Sequence, residues 1–143
     1  MKFLFSLLML TILTSCIGVD EESISKNLMK NKSSFEELVK DGKKTGIVFW
    51  KSNCGLCIRE LQALNQGEDP IIAINVGNEP LDKEISKLKK NIDDKLKGHI
   101  QFQKNTNLQK VVKEKVGVNF VPFTVVVKDN IVSGFHAGYT DSL

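Results

Sequence analysis

Phe49-Trp50-Lys51-Ser52-Asn53-Cys54-Gly55-Leu56-Cys57-Ile58-Arg59-Glu60 holds two cysteines in C-x-x-C spacing. The residues leading into it, Gly46-Ile47-Val48-Phe49-Trp50, are short, apolar and β-prone, the pattern of a buried strand. Beyond it, Cys57, Leu61 and Leu64 recur at helical spacing, so a helix follows. The pair therefore sits where a strand hands over to a helix, with Cys54 at the helix start. Unpaired N–H groups and the helix dipole favour negative charge there, which eases ionisation of Cys54 to the reactive thiolate. Cys57 lies one turn on. A low-pKa thiol with a resolving partner is the minimum machinery of thiol–disulfide exchange.

Two other uses of C-x-x-C fit less well. Tetrahedral zinc needs four ligands, yet the chain has no second C-x-x-C, and its two histidines, His99 and His136, lie far from the cysteines and from each other. No metal is assigned. A purely structural bridge is disfavoured because so short a loop removes little entropy from the unfolded chain.

The chain has 143 residues, enough for one domain with a core. Charged residues make up 26% and the formal charge is +3, with lysines spread along helical patterns. That describes a solvated surface and argues against a nucleic-acid groove.

Met1-Lys2 precedes an apolar run over residues 3–13, eleven residues and too short to span a bilayer, which takes about 20. A basic start, a short apolar stretch and small residues after it make a secretory signal peptide, residues 1–15. Leu13-Thr14-Ser15-Cys16 resembles the lipobox of bacterial lipoproteins, which implies cleavage before Cys16 and a lipid on its sulfur. The alternative is an ordinary signal peptide that leaves Cys16 free. Lipidation also accounts for the odd count of three cysteines, leaving Cys54 and Cys57 as a pair. Loss of Lys2 with the signal lowers the side-chain charge from +3 to +2. Export places the domain where disulfides persist, and acylation holds it on a membrane.

Residues 16–32 are polar with mixed charge and no sustained periodicity, and are expected to form a lipidated tether. The folded domain is expected over residues 33–143. It opens with a capping-box pattern, Ser33 with Glu36 or Ser34 with Glu37, and a short helix through Phe35, Leu38 and Val39. After the cysteine helix, residues 71–76 form a second buried strand, apolar on both faces as parallel strands are. Leu81, Ile85, Leu88, Ile92 and Leu96 then predict an amphipathic helix ending at Gly98. Residues 100–103 alternate as a short strand. Asn105 to Asn107 can cap a helix carried by Leu108, Val111, Val112 and Val116 and closed by Gly117. Residues 123–127 form a third strong strand. The turn at Lys128-Asp129-Asn130 returns residues 131–135 as a hairpin.

This order resembles the thioredoxin fold: an α/β domain with a central mixed sheet flanked by helices. The closer resemblance is to the TlpA/ResA-like thiol–disulfide oxidoreductases, which carry a helix-plus-strand insertion after the second core strand. Phe49-Trp50 stands ahead of Cys54 as the family's Phe-Trp stands ahead of its first cysteine. Glu60 lies three residues after Cys57, where ResA-like members place a glutamate. Residues 81–103 occupy the insertion. Residues 118–127 look like the family's Gly-Val-x-x-Val-Pro-Thr segment, with Pro122 on its cis-proline. Several positions depart from the pattern. Asn53 stands where a Trp is frequent, and Gly55-Leu56 replaces Gly-Pro or Glu-Pro. Val48 replaces the buried Asp of thioredoxin itself, and Phe123 replaces Thr. The chain reaches Leu143 just as Thr140-Asp141 could cap the fold's last helix, so either that helix is missing or the sequence is cut short.

The resemblance implies a membrane-tethered oxidoreductase of the bacterial cell envelope with no cofactor. Cys54 would be the nucleophile and Cys57 the resolving thiol, joined in the oxidised state as a redox-active disulfide. Glu60 would tune the thiols and relay protons. The Val121 backbone and Pro122 would receive an extended substrate segment, with Trp50 as core and site wall. Such members usually act as reductants of protein disulfides, for example apocytochrome c or copper-site thiols, and draw electrons from a membrane thiol reductase. Two other classes remain open: a redox-inert binding lipoprotein that kept the fold, and a Cu(I)-handling protein using the soft thiolates. The copper family spaces its cysteines one residue wider and adds a histidine not clearly supplied here.

Overall fold

The computed structural model describes residues 20–143. The expected signal peptide and Cys16 lie outside the described residues. Five strands form one sheet in the order β3-β2-β1-β4-β5. They are β1 (Thr45–Trp50), β2 (Ile71–Asn75), β3 (Ile100–Gln103), β4 (Phe123–Lys128) and β5 (Ile131–Ala137). β1 pairs β2 in parallel and β2 pairs β3 in parallel, while β4 runs antiparallel to both β1 and β5. The helices are α1 (Glu21–Lys30), α2 (Ser33–Glu36), α3 (Gly55–Gln66), α4 (Leu81–Lys90) and α5 (Thr106–Lys110). α5 continues into a π-helical stretch, Val111–Val116, closed by Gly117 at φ +86°. This mixed sheet between helical layers is the expected thioredoxin-like architecture, insertion (α4 and β3) included.

All six residues of β1 are buried, because the strand is central and covered on both sides. Its side chains alternate between two cores. Ile47 and Phe49 face a layer built from Ile24 and Leu28 of α1, Phe35 of α2, and Leu108, Val112 and Val116. Val48 and Trp50 face Cys57, Leu61 and Leu64 of α3 and Leu88 of α4. The hairpin turns through Asp129 (φ 55°) and Asn130 (φ 63°). Two successive positive φ values suit the twist of a two-residue hairpin, and short polar side chains tolerate them.

Three elements differ from the sequence expectation. The first is the tether. Residues 21–30 are a helix packed into the core, so the folded unit begins well before residue 33. Asp20 caps the helix by accepting from the Ser23 N–H at 3.0 Å, and acidic residues start it while Lys30 ends it. Ile24 and Leu28 stand one turn apart and are both buried, and Asn27 Nδ2 donates to the Val116 carbonyl at 3.3 Å. Secondly, α2 is a single turn. Glu36 does not close a capping box; its carboxylate accepts from the Val132 N–H at 2.8 Å and ties the turn to β5.

Thirdly, α4 stops at Lys90 rather than at Gly98. Ile92 and Leu96 still pack on the second core from irregular chain. Asn65 pins that chain by donating to the Lys95 carbonyl and accepting from the Lys97 N–H. Residues 138–143 carry no helix. Leu143 instead packs against the second core beside Gly46, and Lys44 Nζ donates to its backbone oxygen at 2.8 Å. No described helix is long and apolar enough to cross a membrane.

Candidate active site

The parallel strands β1 and β2 end at one edge of the sheet, and the loops that leave them build the site. The carboxyl ends of parallel strands are the usual place for chemistry in such sheets. After β1 the chain turns through Lys51 to Asn53, and Cys54 becomes the N-cap of α3. Its φ and ψ are extended (−115° and 107°), and its Sγ accepts the Cys57 N–H at 3.2 Å. One of the helix's orphan donors therefore points at the Cys54 sulfur. In the reduced state that bond and the helix dipole would favour a thiolate at this position.

Cys54 and Cys57 are joined as a disulfide with Cα atoms 5.2 Å apart. Their exposures differ. Cys57 is fully buried among the second core, while Cys54 is half-buried. Solvent and partners reach only the first sulfur.

Val121 lies against it, with its carbonyl oxygen 3.8 Å from Cys54 Sγ. The Val121–Pro122 peptide is cis, as the resemblance implies. Among the described residues the Val121 N–H has no hydrogen-bond partner. Trp50 lies in the core, as one half of its expectation had it, but not as a wall open to substrate. It is wholly buried, edge-on to Phe102 with ring centroids 5.5 Å apart. Because β1 is covered on both faces, Trp50 supports the floor beneath the cysteines and forms no surface that a substrate touches.

Glu60 is fully buried on α3, one turn beyond Cys57. Its Oε2 accepts from the Thr124 hydroxyl and its Oε1 from the Thr140 N–H, both at 2.8 Å. Burial pushes its pKa above the ordinary carboxylate value, and the two hydrogen bonds pull partly back. Thr124 sits on β4 opposite Val48, so the carboxyl lies over the β1–β4 pair. Beside it, the Arg59 guanidinium stands 4.9 Å above the Tyr139 ring, which holds the C-terminal segment on α3.

A second buried carboxylate was not singled out from the sequence. Glu84 of α4 accepts from the Ser52 hydroxyl, in the turn just before Cys54. A Cβ on Gly77 would fall on the Glu84 carboxylate, so the glycine after β2 is what admits it. The only hint available beforehand was a glycine directly after a strand. His99 binds the Leu64 carbonyl and His136 lies on β5, neither in a cluster with the cysteines. Among the described residues no three His, Cys, Asp or Glu side chains come together as a metal site.

Solved structures resemble the chain. StoA from Bacillus subtilis aligns at a TM-score of 0.51 with 17% identity, covering 72% of this chain and 79% of that one. A putative thiol:disulfide interchange protein DsbE from Chlorobium tepidum aligns at 0.53 with 18% identity, covering 69% and 70%. The thioredoxin domain of a thiol-disulfide oxidoreductase from Bacteroides vulgatus aligns at 0.51 with 16% identity, covering 70% and 74%. No protein-family model matches the sequence, and no curated protein matches it. Together with the sheet order, these likenesses give the chain the thioredoxin-like fold.

Proposed function

We propose that this thioredoxin-like chain is a thiol–disulfide oxidoreductase acting on protein disulfides outside the cytoplasm. The observation that carries this is the asymmetry of the pair: a half-exposed Cys54 at a helix start, bonded to a wholly buried Cys57. An attacking thiol must be accessible and easily ionised, while a resolving thiol needs only to reach the first.

In the reducing direction the Cys54 thiolate attacks one sulfur of a substrate disulfide. The new S–S bond forms as the substrate bond breaks, and the second substrate sulfur leaves as a thiolate. Cys57 then loses its proton and attacks Cys54 Sγ. That closes the Cys54–Cys57 disulfide and releases the first substrate sulfur as a thiolate. Two electrons have passed from the pair to the substrate. Glu60 is the residue assigned to the Cys57 proton, since it is a buried carboxyl one turn beyond that thiol on the same helix and burial raises its pKa. The Val121 N–H and carbonyl offer an extended substrate one antiparallel pairing beside the nucleophile, next to Pro122.

The reductant direction, a membrane thiol reductase as donor, and apocytochrome c or copper-site thiols as clients rest on the TlpA/ResA-like resemblance. Attachment to the membrane through lipid on Cys16 rests on the lipobox-like residues. The test is a Cys57→Ser variant expressed in its native envelope. Adducts that disappear on reduction, and that are absent when Cys54 is also changed to Ser, are expected; no adduct overturns the reading. The reduction potential against glutathione decides direction: a value near −270 mV, roughly that of thioredoxin, marks a reductant, and one near −120 mV, roughly that of DsbA, an oxidant.

A further inference from the structure

Next to Cys54, on the side of β1 away from α3, the surface opens into a groove of about 440 Å³. That lies within the range of roughly 300–1,000 Å³ found for pockets that take a specific organic group. Its floor is apolar: Phe49, Val112 and Val118, all belonging to the first core. Phe120 and Val121 form one wall, and Lys51 and Lys113 line it with charge. No acidic residue lines it. Among the described residues the one ion pair joins Lys87 to Glu79, so neither groove lysine has a carboxylate partner.

The groove is continuous with the redox centre at two points. The Lys51 carbonyl accepts the Cys54 N–H at 3.4 Å, and Val121 is at once groove wall and neighbour of Cys54 Sγ. A segment paired along Val121 to bring its sulfur to Cys54 must therefore pass the groove mouth. We propose that this groove selects the substrate: it takes a large apolar side chain close to the substrate cysteine, with an acidic residue beside it held by Lys51 and Lys113. The proposal rests on the oxidoreductase reading for its occupant, an extended disulfide-bearing protein segment.

The apolar floor supplies affinity and the two lysines supply sign. Burying one aromatic side chain is expected to tighten binding by roughly tenfold or more, while each exposed charge pair adds about two- to threefold. The probes are fluorescein-labelled short peptides in which serine replaces the reactive cysteine, so that binding is read without any redox step. Phe and Glu flank the serine in the first peptide, Ala and Glu in the second, Phe and Lys in the third, symmetrically on both sides.

By fluorescence anisotropy with the purified oxidised chain, the Phe/Glu peptide should bind about tenfold more tightly than Ala/Glu and about fivefold more tightly than Phe/Lys. In a Lys51→Glu/Lys113→Glu variant with unchanged circular dichroism, the Glu-over-Lys preference should invert while the Phe-over-Ala preference stays. Equal binding of all three peptides, no measurable binding of any, or a variant that still prefers Glu overturns the proposal. Turnover of 2-hydroxyethyl disulfide by the wild-type chain is measured separately. Turnover without peptide preference sinks the groove and keeps the redox reading; preference without turnover does the reverse.

Discussion

Glu60 keeps a carboxyl group out of water with only two hydrogen bonds to hold it, from Thr124 and Thr140. Burial raises its pKa above 4.5, so the folded chain keeps this proton at pH values where the unfolded chain has released it. Its contribution to stability is therefore full at acid pH, falls as pH rises from about 4.5 through the raised value, and is constant above that. Glu60→Gln cannot ionise and should escape that loss. The variant's urea midpoint relative to wild type is expected to climb with pH across that window and then level off; parallel curves would refute the burial account. Gly77 makes a second residue-scale prediction. A Cβ there meets the Glu84 carboxylate that Ser52 holds, so Gly77→Ala should cost about 1–3 kcal/mol. Adding Glu84→Ala should return part of that in a double-mutant cycle, and strict additivity would sink the contact. The place of Glu60, one turn after Cys57, was legible in the sequence. Its partners were not, because they lie 64 and 80 residues away along the chain and no local pattern carries such pairs.

At the scale of elements, periodicity revealed what is continuously apolar and missed what is sparsely so. β1, β2 and β4 stood out because central strands covered on both faces read as unbroken apolar runs, whereas the edge strand β5 was found from the turn at Lys128-Asp129-Asn130. α1 did not, since only Ile24 and Leu28 of its ten residues are buried and the remainder, apart from the exposed Met29, is charged or polar. Its helical signal lies in an Asp20 cap and a single buried i, i+4 pair, too short a run to show a sustained apolar period but enough when the core supplies the partner surface. The far end of α4 failed in the opposite sense. Ile92 and Leu96 continue the apolar spacing, but backbone held by Asn65 replaces the helix there. Leu28 and Met29 are neighbours that separate a packed helix from a tether: Leu28 is 1% exposed and Met29 48%. Leu28→Ala is expected to cost about 2–5 kcal/mol in urea unfolding, and Met29→Ala less than about 0.5 kcal/mol. A silent Leu28→Ala would return the segment to the status of a tether.

For the molecule as a whole, α1 changes what lipidation at Cys16 would mean. Only residues 17–20 lie between that cysteine and Glu21, the first residue of α1. The five Cα–Cα steps from Cys16 to Glu21 span at most about 18 Å whatever their path, so an anchored domain would ride close against the headgroups rather than stand off on a leash. Those four residues, Ile17-Gly18-Val19-Asp20, also contain no lysine or arginine. The first tryptic site after Cys16 is Lys26, inside α1 and between the buried Ile24 and Leu28. Proteolysis there has to wait for α1 to open, and its rate follows the population of that open form when reclosing is fast. If Cys16 is the anchor, the chain should incorporate labelled fatty acid, sediment with membranes, and lose both properties on Cys16→Ser. Trypsin should then release the wild-type domain from membranes slowly, and a variant with a Gly-Ser-Lys-Gly insert after Gly18 at once. Leu28→Ala should speed release in proportion to the stability it removes from α1. Wild type released as fast as the insert variant would show that α1 does not guard Lys26, and unlabelled wild type would remove the anchor itself.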